Sequence, residues 1–334
     1  MDARAAQAKF GEWEVGANAL SLLGAAQRCG LLDGLREGHT AAEAAMGLGL
    51  DATQVGRVCM ALEALGVLRR RGPAYVLTDG WRTLTAPDQP GLLGDRLGLV
   101  PVVMRALAEC FEPAPGLEGV DPEEAVAVSD SVWGVPRSSE VERSWTGLDA
   151  SMPEVRDAWR AGARHAEFGC GAGRHLLRVV AMYPRVTAVG YDVLPHGLAP
   201  ARELATALGL GARVEFRMED TAELTLVDEF DTILWCQMFF SGAVRAATID
   251  NIRRALKPGG YLVMPLMPDL PSLEQVEITP AERSTLLLSV ACPRWNVQWP
   301  VGREVRRELE QAGFEHLHTL QHGSTPFMVM RLPA

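Results

Sequence analysis

Along residues 17–29 the apolar side chains recur at helical spacing, and the pattern stops at Gly30, where a helix can end. Thr40 is placed to cap a short helix running to Met46. Asp51 caps the next, through Leu65, which turns Val55, Val58, Cys59, Leu62 and Leu65 inward before Gly66 ends it. Residues 67–70 and 74–78 then alternate as the arms of a hairpin around Gly72 and Pro73. From about residue 90 to 155 strand signals disappear, and prolines at 101, 113, 115, 122 and 136 separate helical segments. Beyond residue 163 the pattern changes. Strands are predicted over 163–168, 186–191, 214–218, 230–237 and 260–266, with helices over 174–182, 197–208 and 243–256 between them. A helix over 303–312 ends at Gly313, and strands follow near 316–321 and 327–331. Repeated βα units imply an α/β fold, a mainly parallel sheet with helices on both faces.

Three helices followed by a small β-ribbon resemble a winged helix. The expected organisation is a winged-helix-like domain over residues 1–90, a helical linker over 91–155 and an α/β domain over 156–334. A DNA-reading role does not fit. The helix that would enter the groove carries Asp51, Arg57 and Glu63, and the chain has a net charge of −10, so neither supplies attraction to phosphate. Packing against a second copy of the chain is the expectation instead, with no nucleic-acid partner. Hydrophobic residues make up 48% and charged residues 22% of the 334, the balance of a soluble globular protein. No apolar run approaches the roughly 18 residues of a membrane helix, and residues 1–10 lack the apolar centre of a signal peptide. No membrane association and a cytoplasmic location are expected. The six cysteines stand far apart, without a C-x-x-C pair, and predict neither a zinc site nor a disulfide framework.

The chemistry concentrates at Glu167-Phe-Gly-Cys-Gly-Ala-Gly173, between a predicted strand and a predicted helix. Glycines at alternate positions let polar ligand atoms approach the backbone. A dinucleotide-binding turn needs G-x-G-x-x-G, but here the third glycine comes one residue early and Arg174 stands where that turn wants Gly. The E-x-G-x-G-x-G spacing resembles motif I of the class I S-adenosylmethionine (SAM) methyltransferases. Asp192 ends the next strand, where a carboxylate can accept both hydroxyls of a ribose. Asp220 ends the third, and Lys257-Pro-Gly-Gly260 precedes the fifth, as in that family. With the front domain and the helix ending in Glu308-Leu-Glu-Gln-Ala-Gly-Phe314, nearly the whole chain resembles the small-molecule O-methyltransferases of natural-product pathways.

The resemblance implies a Rossmann-like SAM-binding domain, SAM as cofactor with S-adenosylhomocysteine as its product, a homodimer joined through the front domain, and a small-molecule acceptor from antibiotic-type secondary metabolism. It assigns cofactor binding to Glu167, Gly169, Gly171, Gly173, Asp192, Val193, Asp220, Thr221 and Cys236, with Glu167 beside the methionine part and Asp220 at the adenine amino group. Trp133, Trp145, Met152, Gln237 and Phe240 are the candidates for the acceptor pocket. One departure matters. Where the family carries a proton-abstracting histidine followed by aspartate, this chain places Phe240 and Ser241. Substitute bases are sought at Asp269 and His175, though His175 is expected to face helix or solvent, and Gln237 is a catalytic candidate that could hold a polar acceptor group. The missing base favours methylation of carbon or neutral nitrogen over oxygen. The alternatives are an O-methyltransferase with another base, or a SAM-bound cyclase or isomerase without methyl transfer. His316, His318 and His322 alternate on a late strand, but no carboxylate stands at ligand spacing beside them, so no metal is expected.

Overall fold

The structure, a computed structural model, describes residues 2–86, 93–114, 119–133, 148–272, 278–295, 297, 299, 302–322 and 325–334. The chain forms two compact units that divide after Val102.

In the first unit, α1 (Ala3–Arg28) starts well before the predicted helix, with Asp2 capping the Ala5 amide. Its early residues are good helix formers without an inward apolar stripe, so the stretch carries no periodic signal. A single turn, α2 (Leu31–Gly34), leads to α3 (Ala41–Leu48), where Thr40 and Glu43 form a reciprocal capping box. Asp51 caps α4 (Ala52–Ala64) as expected, and the hairpin pairs β1 (Leu68–Arg71) with β2 (Ala74–Leu77). A short α5 (Asp79–Leu84) follows. Leu32, Leu35, Cys59, Leu62 and Leu77 form the centre of this unit's core, each fully buried.

The helix α6 (Leu93–Ala108) contains the division, and α7 (Pro122–Trp133) and α8 (Pro153–Ala161) precede the sheet. There follow β3 (Arg164–Phe168), α9 (Arg174–Met182), β4 (Thr187–Asp192), α10 (Pro195–Ala207), β5 (Val214–Met218), β6 (Phe230–Trp235), α11 (Gly242–Ala255) and β7 (Leu256–Pro265). The chain closes with α12 (Pro280–Ala291), α13 (Gly302–Gln311), β8 (Glu315–His322) and β9 (Thr325–Arg331). Sequence periodicity did not signal α12, because its three consecutive leucines, Leu286–Leu288, make no single apolar face.

Among the described residues the strands form a seven-stranded sheet in the order β5-β4-β3-β6-β7-β9-β8. The first five are parallel, and β9 runs antiparallel between β7 and β8. Alternation along β3 sends Ala166 and Phe168 to one face and His165 and Glu167 to the other. The first face is a continuous apolar core with Ile233, Trp235, Ile249, Ile252, Val305 and Leu309. The second is polar and equally buried. Strand order turns in opposite directions from β3 and β6, which opens a crevice beyond their C-terminal ends.

Candidate active site

Two turns meet at that crevice. After β3 the chain makes the glycine turn, with Gly169, Gly171 and Gly173 at φ of 77°, 49° and 66°. These left-handed conformations suit glycine, and space is a second constraint. A Cβ on Gly173 would lie 2.8 Å from Phe216, and one on Gly169 would lie 3.0 Å from Phe240. The Tyr191 carbonyl accepts from the amides of both Gly169 and Cys170, which ties the turn to β4. After β6 a 3-10 turn (Gln237–Phe239) carries the chain to Phe240.

Glu167 is 1% exposed, and burial holds its carboxyl well above the usual carboxylate range. The Leu176 amide opposes that effect and the Asp192 charge reinforces it. Its Oε2 has no hydrogen-bond partner. For His175 the sequence foresaw a helix-facing position but not its approach to Glu167. His175 is 2% exposed and packs against Trp133 of α7 and Trp159 of α8, so it faces neighbouring helices rather than solvent, and its Nδ1 also lies 3.7 Å from Glu167 Oε2. Helix α9 begins directly at the turn, so its second residue points back beneath the sheet's polar face. Burial first, and Arg178 second, push the His175 imidazole down to about 3.

Asp192 is drawn into the turn itself. Its two oxygens accept from Gly171 N at 2.7 Å and Leu194 N at 2.9 Å. Burial raises its pKa, and those amides with Val193's counteract the shift. Each oxygen keeps a lone pair with which it could still accept a ribose hydroxyl. Val193 itself is exposed. Asp220 makes a turn of its own, Oδ1 accepting from Ala222 N at 2.8 Å. The neighbouring Thr221 is buried, its carbonyl accepting from Asn251 while its hydroxyl has no partner. Cys236 is buried close to Gly169, and burial pushes its thiol upward.

The acceptor-side candidates separate. Gln237 is fully buried, and neither amide atom has a partner. Phe240 lies over Gly169 with its ring 5.7 Å from that of Trp235, in an edge contact. Trp133 packs inward, with ring distances of 4.7 Å to His175 and 5.9 Å to Phe327, and Met152 is fully buried. Asp269 is exposed beyond β7. Trp145 lies outside the described residues. Of the late histidines, His318 meets Glu154 at 2.6 Å, a carboxylate too distant in sequence for spacing to reveal. Among the described residues no three His, Cys, Asp or Glu side chains gather as a metal site.

Sequence reasoning named Trp133 of α7 as a pocket candidate but missed Ser129 and Asp130 of the same helix beside the glycine turn. Ser129 Oγ lies 3.9 Å from where a Cβ on Gly171 would stand, and Asp130 takes the Arg174 guanidinium. The off-pattern arginine had been the one available signal. A cavity of about 530 Å³ opens by the C-terminal end of α9, lined by Asp149, Trp159, Tyr183 and three arginines. No residue of the glycine turn lines it, so the buried unpartnered groups are the better guide to chemistry.

Those groups also test the cofactor. Glu167 Oε2, Thr221 Oγ1 and both Gln237 amide atoms are buried without partners at the C-terminal ends of β3, β5 and β6, a costly arrangement unless a polar ligand completes it. The residues present fit SAM.

The family described as Methyltransferase domain matches residues 160–313. Methyltransferase ungE' of Aspergillus campestris is 31% identical over 124 residues, a match covering 35% of this chain and 33% of that protein. The match thus spans about a third of the curated relative. The mitomycin 7-O-methyltransferase MmcR superposes with a TM-score of 0.64 at 17% identity over 98% of both chains. Human N-acetylserotonin methyltransferase, solved with SAM, superposes with a TM-score of 0.70 at 16% identity, covering 100% of this chain and 99% of its own. Among the described residues no helix is long and apolar enough to cross a membrane. Residues 160–313 are therefore a SAM-dependent methyltransferase domain, in a chain with the fold of the class I small-molecule O-methyltransferases.

Proposed function

We propose that the protein methylates a small, largely apolar natural-product intermediate, at carbon or neutral nitrogen, as a homodimer. SAM, when bound, supplies an electrophilic sulfonium methyl. Glu167, the glycine turn, Asp192 and Asp220 would hold it, and the C-terminal edge of β6 would face the acceptor. The exposed apolar residues Phe10, Trp13, Val15 and Leu20 of α1 support pairing of two copies. Comparison with MmcR, a mitomycin enzyme by name, supports the natural-product setting.

One observation carries the choice of atom: the family's base position holds Phe240, a ring without a basic atom, seated on Gly169. A hydroxyl acceptor needs help to lose its proton, and a positioned base typically contributes roughly 100- to 10,000-fold. An enol carbon or electron-rich ring attacks first and releases its proton afterwards, so alignment can supply most of the rate. The apolar surroundings of Phe240 and Trp235 also favour a step in which the donor's positive charge is neutralised.

Incubation with methyl-labelled SAM tests this against panels of enols, electron-rich aromatics, amines and phenols. Labelled C- or N-methyl product is expected; only O-methyl product would refute the assignment, and unlabelled product would indicate a cyclase or isomerase. Phe240→His should add activity on phenols, and no gain would argue against the base-slot alignment.

A further inference from the structure

We infer that His175 is a positioning residue for Glu167, and that the pair receives the cationic amino-acid end of SAM with release of one proton to solvent. The inference rests on the methyltransferase reading and assigns a role to a residue outside its motif.

The geometry is built from two elements. Alternation on β3 turns Glu167 toward the polar face, and the first turn of α9 brings His175 beneath it, 3.7 Å from Nδ1 to Oε2. Both side chains are sealed, at 1% and 2% exposure. The imidazole is held by rings on several sides: Trp133 at 4.7 Å, His165 at 6.1 Å and Trp159 at 6.4 Å between centroids. Such enclosure fixes the ring's orientation toward the carboxyl, whereas a surface histidine would rotate.

The charges around the pair decide where a proton goes. Asp192, Cys170 and Cys236 stand near the carboxyl, and the Leu176 amide donates to it. Arg178, Asp149 and His165 act on the imidazole. Burial and Arg178 both disfavour a second cation at His175. A sealed carboxyl likewise gains little by ionising until a cation arrives. When an ammonium group does, Glu167 becomes carboxylate, its O–H bond giving the electron pair to oxygen and the proton to water. No other bond changes. The Leu176 amide and an imidazole N–H then orient the carboxylate, and His175 stays neutral.

Calorimetry on the full-length protein with S-adenosylhomocysteine tests this without turnover, because that probe has the same amino-acid end. Below about pH 7 the probe's amino group is already protonated. Titrations in buffers of different ionisation heat should then show about one proton released per ligand, with Kd improving about tenfold per pH unit while free Glu167 is protonated. Glu167→Gln should abolish the release. His175→Phe should move the pH profile upward, and His175→Gln, which keeps an N–H donor, should restore it.

A wild-type proton count of zero overturns the inference alone and needs no variant. So does a His175→Phe profile that weakens equally at every pH, the signature of lost packing only. Complete failure of wild-type protein to bind the probe overturns the methyltransferase reading, and this inference with it.

Discussion

Gly173 shows how two demands meet at one residue. Its φ of 66° belongs to the left-handed region, and a Cβ there would sit 2.8 Å from the Phe216 ring and 3.1 Å from Ala201. Gly173→Ala should therefore cost about 1–3 kcal/mol from strain and overpacking together. Scanning calorimetry should show a thermal midpoint several degrees lower, and an unchanged midpoint would mean the turn is not held as described. Glycine spacing gave the conformational demand in advance. The packing demand was not readable, because Phe216 comes more than forty residues later, on β5.

At the scale of elements, α7 is pinned against the glycine turn and α9. Arg174, only 7% exposed, takes its charge partner Asp130 from α7. Arg178 donates to the Trp133 carbonyl at the helix's end. Removing one partner of a buried pair strands the other charge, at a cost of up to about 3–5 kcal/mol for full burial and less here, where Asp130 is partly exposed. Asp130→Asn should loosen α7 and speed its cleavage in limited proteolysis. Equal cleavage rates would show that Trp133 and Arg178 suffice. Of this arrangement, the sequence signalled helical segments, Trp133 as a pocket candidate and a misplaced arginine, but none of the pairings.

Across the whole molecule, the buried polar face of the sheet sets the response to pH. Burial lowers His165 and His175 to about 3, from an ordinary 6.5. The unfolded chain therefore binds more protons than the native one, and stability is lost as pH falls from about 6.5 toward about 3. Asp149, Asp192 and Glu167 act in the opposite sense, since raised carboxyls stabilise at low pH and lose that contribution as pH rises through their native values. The histidines should dominate the acid limb. Thermal midpoints measured between about pH 6.5 and 5 should fall less steeply in His165→Asn than in wild type. Parallel curves would show that His165 does not contribute.

What the sequence determined is local. Thr40 and Asp51 mark their helices, residues 174–182 and 214–218 match an observed helix and strand, and the glycine turn, Asp192 and the Lys257–Gly260 turn stand in a legible order. Caps, periods and turns depend on neighbours a few residues away, and the sequence states those directly. Tertiary structure alone decided that Phe240 covers Gly169, that His175 lies buried against Glu167, and that Trp159 donates to Thr232, seventy-three positions along the chain. Those contacts follow from strand order, which places β6 beside β3 though two other strands come between them in the chain.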